Sequence, residues 1–278
     1  MIEISRDDLI VFTGVAKDFQ GQSGVYTAVK DITLTVKRGE IAILLGPSGC
    51  GKSTLLNMTA GLLQPTEGQV LYGERSVTKL NPSVAYMTQR DHLLPWRTVS
   101  ANVALPLEVA GLEQRQIADR VSELLELVGL SDFASAYPSQ LSGGMQKRCA
   151  LARLLAADRE TLLLDEPFGA LDAQLRLTLQ GELLKLCHRL GLTVLFVTHD
   201  IEEAAVLSDK CVVFRGRPGT ISSITKNPLP RDRDLMRLRF DPRYRDFTND
   251  LWTLLTPELQ QNDRPAYGAT TTASGKSR

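Results

Sequence analysis

The chain has 278 residues, of which 43% are hydrophobic, enough for one large domain or two smaller ones with a full core. Its 32 basic residues balance 32 acidic ones, so no global field recruits nucleic acid or an anionic lipid surface. The longest apolar runs, at 41–45, 161–164 and 193–197, are far short of the roughly 20 residues that span a bilayer, and the opening MIEISRDDLI reads as no signal peptide.

In chain order, residues 9–36 alternate in polarity and predict two antiparallel strands joined by a Gly-rich turn at 21–24 (GQSG). The run IAILL at 41–45 predicts a strand buried on both faces. A helix over 52–62 and a short strand pair around 68–74 follow. From 90 to 156 the pattern turns helical; Ile117, Val121, Leu124, Leu125 and Val128 share one helical face. Strands return at 161–165, 193–199 and 210–216, with a helix over 170–191. Strands alternating with helices predict a mostly parallel sheet covered on both faces, interrupted by an inserted helical subdomain at 90–156. After about 225 a Pro- and charge-rich connection, NPLPRDRD, leads to an amphipathic helix over 244–256. Residues 257–278 have little to bury and are expected to be disordered. The spacing of Cys50, Cys149, Cys187 and Cys211 suggests reduced thiols rather than a disulfide frame or a zinc site. Cys50 is a small residue that fits its loop, or else a redox-sensing thiol.

Four short stretches carry chemistry. GPSGCGKS at 46–53 matches the full phosphate-loop pattern, after a buried strand and at the start of a helix. Backbone N–H groups from Gly46, Pro47, Ser48, Gly49, Cys50, Gly51 and on to Thr54 form the phosphate cradle, apart from Pro47, which has no N–H. Lys52 is the point charge for the β- and γ-phosphates and Ser53 the Mg²⁺ ligand. TLLLDEP at 161–167 ends a strand in two acids: Asp165 can hold Mg²⁺ through water, and Glu166, pointing elsewhere, can act as general base for an attacking water. THD at 198–200 ends another strand, where His199 can donate to a γ-phosphate. Gln89, at the end of AYMTQ, can reach Mg²⁺ and the attacking water. His92 and His188 lack such a setting and read as surface or subdomain residues. LSGGMQKR at 141–148 opens a helix and forms a second anion site, distinct from the first.

This set, in this order, resembles the ATP-binding cassette (ABC) ATPases over roughly residues 8–225; LSGG shortly before LLLDEP is the most specific part. The resemblance implies an α/β P-loop NTPase with a mostly parallel RecA-like core sheet, a small antiparallel β subdomain and the helical insertion. It places the cassette at 1–225, a C-terminal extension at 226–256 and a tail at 257–278. It implies ATP and Mg²⁺ as cofactors. It also implies a head-to-tail pair with a second copy or a related cassette, in which Ser142, Gly143 and Gly144 bind the γ-phosphate held by the other copy's Lys52 and Ser53. Asp172, in GALD at 169–172, matches the loop that bridges the two sites. Phe19, in KDFQG, matches the aromatic that stacks on adenine, with Tyr26 close by.

Three roles compete: transporter motor, DNA-repair ATPase, and translation-type ABC protein. Only residues 90–141 separate Gln89 from Ser142, too few for the coiled coils of the repair type, and translation-type members carry two cassettes. The transporter reading leads, with a soluble ABC ATPase uncoupled from transport as the alternative. With no span of its own, the chain is expected to dock peripherally on separate permease subunits at the cytoplasmic face of the membrane, served indirectly by an extracytoplasmic solute-binding protein and not by nucleic acid. The expected docking segment is 90–103, with Leu93, Leu94, Pro95 and Trp96; subdomain core is its other reading. LLPW, DEPFGALD, THDIEEA and RPGTI, together with the segment after 225, are similar to the nitrate/sulfonate/taurine import ATPases.

Overall fold

The computed structural model describes residues 5–21, 24–90, 92–169 and 171–262. A long antiparallel pair comes first, β1 (Asp8–Gly21) and β2 (Gly24–Lys37), with Phe12 opposite Leu34 and Val15 opposite Ile32. Residues 22–23 of the expected turn lie outside the described residues. β3 (Ile41–Leu45) is buried at every position, as its continuous apolar run predicts. From its end springs α1 (Lys52–Thr59), three residues shorter than expected. β4 (Glu67–Tyr72) and β5 (Arg75–Ser76) extend the first sheet to the order β2-β1-β4-β5. β6 (Val84–Met87) belongs to the second sheet.

Three helices then intervene: α2 (Val99–Val109), α3 (Gln114–Leu127) and α4 (Gly143–Ala156). The stripe on α3 packs as its spacing requires, with Ile117, Val121, Leu124, Leu125 and Val128 all buried. Beyond them come β7 (Thr161–Asp165), α5 (Ala173–Leu190), β8 (Thr193–Thr198), α6 (Ile201–Leu207), β9 (Lys210–Arg215), β10 (Thr220–Lys226) and α7 (Pro242–Asn262). The second sheet has the order β10-β9-β3-β8-β7-β6, parallel except for β10.

Period-two alternation assigns the central strand to two cores. Ile41, Ile43 and Leu45 face the helix side with Phe168, Leu183 and Phe196, while Ala42 and Leu44 face α1 and the first sheet with Leu34, Leu55 and Phe214. Leu44 is wholly buried, and truncating such a leucine to alanine costs about 2–5 kcal/mol.

The C-terminal extension is fastened rather than loose. Arg231 makes two bonds to the Asp209 carboxylate, at 2.9 and 2.7 Å, and Asn227 donates to the Ala205 and Ser208 carbonyls. Phe247, Leu251 and Leu255, spaced by four, are buried on α7. The helix runs to Asn262, six residues past the boundary expected at 257. Once Leu251 and Leu255 anchor the helix, each further turn costs little. Residues 263–278 lie outside the described residues.

Candidate active site

Parallel pairing brings the chemistry to one edge. Leu45 at the end of β3 is level with Thr198 on β8, and Asp165 at the end of β7 is level with Val197. The segments that follow these ends, 46–53, 166–172 and 199–200, therefore emerge together, at the carboxyl ends of the strands where open α/β sheets bind ligands.

Loop 46–53 needs its glycines for two reasons. Gly49 and Gly51 have φ of 81° and 86°, the left-handed region. A Cβ on Gly51 would also lie 2.3 Å from Val29 Cγ1 and 2.8 Å from the Ala28 oxygen. Lys52 is buried, and its Nζ donates to the Gly46 and Pro47 carbonyls at 2.7 Å each. The Thr54 amide donates to Gly51 O at 3.1 Å, so the loop passes directly into α1. Cys50 Sγ lies 3.6 Å from Lys52 Nζ, yet burial pushes the thiol pKa up. A reactive thiol needs the opposite shift, so the redox reading of Cys50 gains no support. No disulfide joins the four buried cysteines.

Asp165 is buried, which pushes its carboxyl up. A hydrogen bond from Ser53 works against this, the neighbouring Glu166 adds to it, and Lys52 and Lys147 oppose it. Ser53 hydroxyl and Asp165 carboxylate are hard oxygen donors in contact. Among the described residues no group of three or more His, Cys, Asp or Glu could hold a metal unaided. That donor set fits Mg²⁺, which shares its coordination with phosphate oxygens and water rather than filling a protein cage.

Glu166 has φ of 50°, uncommon for a residue with a Cβ, and its amide donates to Val197 O at 3.0 Å. That backbone turn separates the two adjacent acids. Asp165 stays beside Ser53, while Glu166 Oε1 lies 2.9 Å from His199 Nδ1 and its Oε2 accepts a long 3.4 Å bond from Gln89 Nε2. A carboxylate held between an imidazole and an amide at a sheet edge can take a proton from a water beside it.

The remaining motif residues stand apart from this cluster. Ser142 caps α4, its Oγ accepting from the Met145 amide, and Asp172 caps α5 in the same way, accepting from Leu175 at 2.9 Å. Ser142, Gly143 and Asp172 are exposed. Among the described residues no hydrogen bond or ion pair links Ser142, Gly143 or Gly144 to the phosphate loop. Ala170 of GALD and Asp91 of the docking segment lie outside the described residues. Phe19 and Tyr26 are directly paired across β1 and β2, with stacked rings 5.5 Å apart and Lys17 Nζ 5.4 Å from the Phe19 centroid. The two candidate aromatics thus form one stacked pair. Trp96 is 71% exposed in the loop before α2, whereas Leu93 packs on the core. His92 is exposed, and its carbonyl accepts from Arg153. His188 lies on α5, where burial pushes its pKa down.

Three residues to which the motifs assign no role join these parts. Lys147 Nζ donates to the Gln89 carbonyl at 3.0 Å, tying the helix that follows Ser142 to the glutamine segment. Arg176 Nη2 donates to Leu171 O at 3.0 Å and its Nη1 lies 3.4 Å from Asp200, so the segments of Asp172 and His199 share one clamp. Glu203 is buried and accepts a 2.6 Å bond from the Thr198 hydroxyl. Lys147 and Glu203 lie inside motifs and Arg176 lies four residues beyond GALD, but their partners, 5, 24 and 58 residues away, carry no signal in the sequence.

Residues 29–169 match the family described as ABC transporter. The chain is 44% identical over 236 residues to the nitrate import ATP-binding protein NrtC of Synechococcus elongatus, covering 84% of this chain and 36% of that protein. It is 41% identical over 219 residues to the aliphatic sulfonates import ATP-binding protein SsuB of Bacillus cereus, covering 79% and 86%. The fold matches the dimeric post-hydrolysis structure of the ATP-binding cassette MJ0796 bound to ADP and Pi, with TM-score 0.74 and 31% identity over 80% of this chain and 100% of that one.

Proposed function

Since the chain belongs to the ABC transporter family and is an ATPase of the cassette type, we propose that it is the ATP-hydrolysing subunit of a bacterial importer that takes up a small solute of the nitrate, sulfonate or taurine kind through separate permease subunits. The names of the two import relatives support the solute class. No described helix is long and apolar enough to cross a membrane, which is consistent with a subunit that borrows its pore.

The observation that carries the mechanism is the Glu166 carboxylate held between His199 and Gln89 beside the phosphate loop. Lys52, Ser53 and the loop amides hold the triphosphate. Mg²⁺, held by Ser53, Asp165 and Gln89, would supply charge neutralisation at the β- and γ-phosphates. Glu166 takes a proton from water as the water oxygen bonds to the γ-phosphorus; the bond to the β-γ bridging oxygen breaks, leaving ADP and phosphate. His199 positions the Glu166 carboxylate through Nδ1, 2.9 Å from Oε1, and its other ring nitrogen would meet a γ-phosphate oxygen. The Phe19–Tyr26 platform receives the adenine.

The exposed Ser142–Gly144 turn fits a γ-phosphate held by a second copy, packed head to tail as a homodimer or against a related cassette; the cassette neighbour is itself dimeric. Asp172 would bridge the two sites. Exposed Trp96, two residues beyond Leu94 and seven beyond Gln89, would meet a cytoplasmic helix of the permease, so that nucleotide state is read where the pore is gripped. Co-expression with a permease and solute-binding protein in vesicles tests the whole: ATP-dependent accumulation of nitrate, taurine or an alkanesulfonate is expected, and intact vesicles that hydrolyse ATP without accumulating any such solute would refute the import reading.

A further inference from the structure

The loop between β9 and β10 reaches over the phosphate loop. Three contacts hold it there. A Cβ on Gly46 would lie 2.9 Å from the Phe214 carbonyl oxygen, and one on Gly219 would lie 1.9 Å from the Cys50 oxygen. Arg217 Nη2 donates to the Ser48 carbonyl at 2.9 Å and sits 2.9 Å from where a Cβ on Gly49 would be. The hairpin is itself fixed to β2: the Gly219 amide donates to Ala28 O at 2.9 Å, and the Lys30 amide donates to Gly219 O at 3.0 Å. Gly51 packs on the same Ala28–Val29 stretch. The phosphate loop is thus gripped between β2 and the hairpin, backbone against backbone, and the one long side chain in the grip is Arg217.

The Ser48–Gly49 peptide is trans, so its carbonyl and its N–H point in opposite directions. A donor fixed on the Ser48 oxygen therefore aims the Gly49 N–H away from the hairpin. With glycine at 49 and 51, both in the left-handed region, this peptide has fewer steric limits on its orientation than other residues would impose, and the Arg217 bond is a contact that fixes it from outside the loop. We propose that Arg217 is a positioning residue for nucleotide binding: its guanidinium locks the Ser48–Gly49 peptide plane so that the loop amides converge on the triphosphate, and it adds a positive charge at the rim of the cradle. This rests on the ATPase assignment and not on the import reading.

The test uses the full chain with Mg²⁺ and ATP. Arg217→Ala is expected to raise the KM and Kd for ATP about fivefold to tenfold, the size of a charge-assisted bond at an exposed site. The kcat should stay within about twofold and the nucleotide-free Tm should stay unchanged, since Arg217 is exposed. Arg217→Lys should recover part of the affinity, because it keeps the charge and a donor but not the fork. An unchanged KM in Arg217→Ala would overturn the proposal. So would a fall in Tm that accompanies the loss of affinity, since that would make Arg217 a prop for the fold. A wild-type chain that binds no ATP would overturn the assignment beneath it as well.

Discussion

The two anion-binding turns of this molecule are built in opposite ways. The turn at 46–53 is sealed: Lys52 is buried with two carbonyl acceptors, Asp165 is buried beside Ser53, and β2 and the β9–β10 hairpin press on the loop from both sides. The turn at 142–144 is bare. Ser142 and Gly143 face solvent, and the Ser142 hydroxyl does no more than cap its own helix. On the proposed head-to-tail reading, the first turn holds the nucleotide of its own chain, and the second is left for the nucleotide held by another copy.

The sharpest way to break the comparison is at Glu166, on the sealed side. Glu166→Gln keeps the shape and removes the base, so hydrolysis should fall by about 10³-fold, within the range for general-base catalysis. ATP should then accumulate in a complex that size-exclusion chromatography reads as a dimer. A variant that hydrolyses at the normal rate, or stays monomeric with ATP, contradicts the role. The bare side comes next. Ser142→Arg should leave ATP binding to the monomer unchanged while lowering hydrolysis about 100-fold, the cost of losing phosphate-directed donors. Loss of monomer binding would mean that the two turns serve one nucleotide within one chain. The lost cap costs about 1 kcal/mol of stability, so a modest fall in Tm is expected alongside.

The sealed side was largely legible in the sequence, because its signals are local. IAILL is a strand buried on both faces, GPSGCGKS is a loop that only glycines can make, and TLLLDEP ends a strand in acid. What could not be read was how adjacent acids diverge. That depends on Glu166 adopting φ of 50°, held by the Val197 carbonyl on a neighbouring strand. Nor could the sequence pair Lys147 with Gln89, or Arg217 with Ser48, across 58 and 169 positions. Such pairs follow from strand order, and strand order is a property of the whole sheet. Composition marks where a segment has little to bury, whereas α7, anchored at Leu255, runs on to Asn262.

Away from both turns, Glu203 is buried on α6 beside Thr198 and carries an electrostatic cost. Burial pushes its carboxyl from 4.5 to about 7, with the Thr198 hydroxyl working against the shift, Asp200 adding to it, and Arg176 and His199 opposing it. The unfolded chain loses this proton near pH 4.5 while the folded chain keeps it to about pH 7. Folding stability from this group is therefore full below pH 4.5, falls as pH rises to 7, and is flat above. The difference is about 3–4 kcal/mol. Glu203→Gln does not titrate, so its urea midpoint should gain on the wild type between pH 5 and pH 8. A constant difference between the two proteins across that range would show that Glu203 is ionised at both ends.

Trp96 extends the comparison to a third surface, and there the expected effect is smallest. Like Ser142, it is exposed on a segment whose other members are engaged: Leu93 packs on the core, and the Leu94 amide and carbonyl are both bonded to the Asn102 side chain, at 2.8 and 3.1 Å. The backbone around Trp96 is thus held rigidly while the indole is left out, which is how an interface anchor differs from a core residue that has slipped its place. Trp96→Ala removes no buried contact within the chain, so ATPase activity of the free subunit should stay within about twofold of wild type and Tm should not move. Retention by a co-expressed permease should fall about tenfold, the loss of a single aromatic anchor among several contacts. If retention is unchanged while Tm drops, the indole supports the helical subdomain and does not anchor a partner.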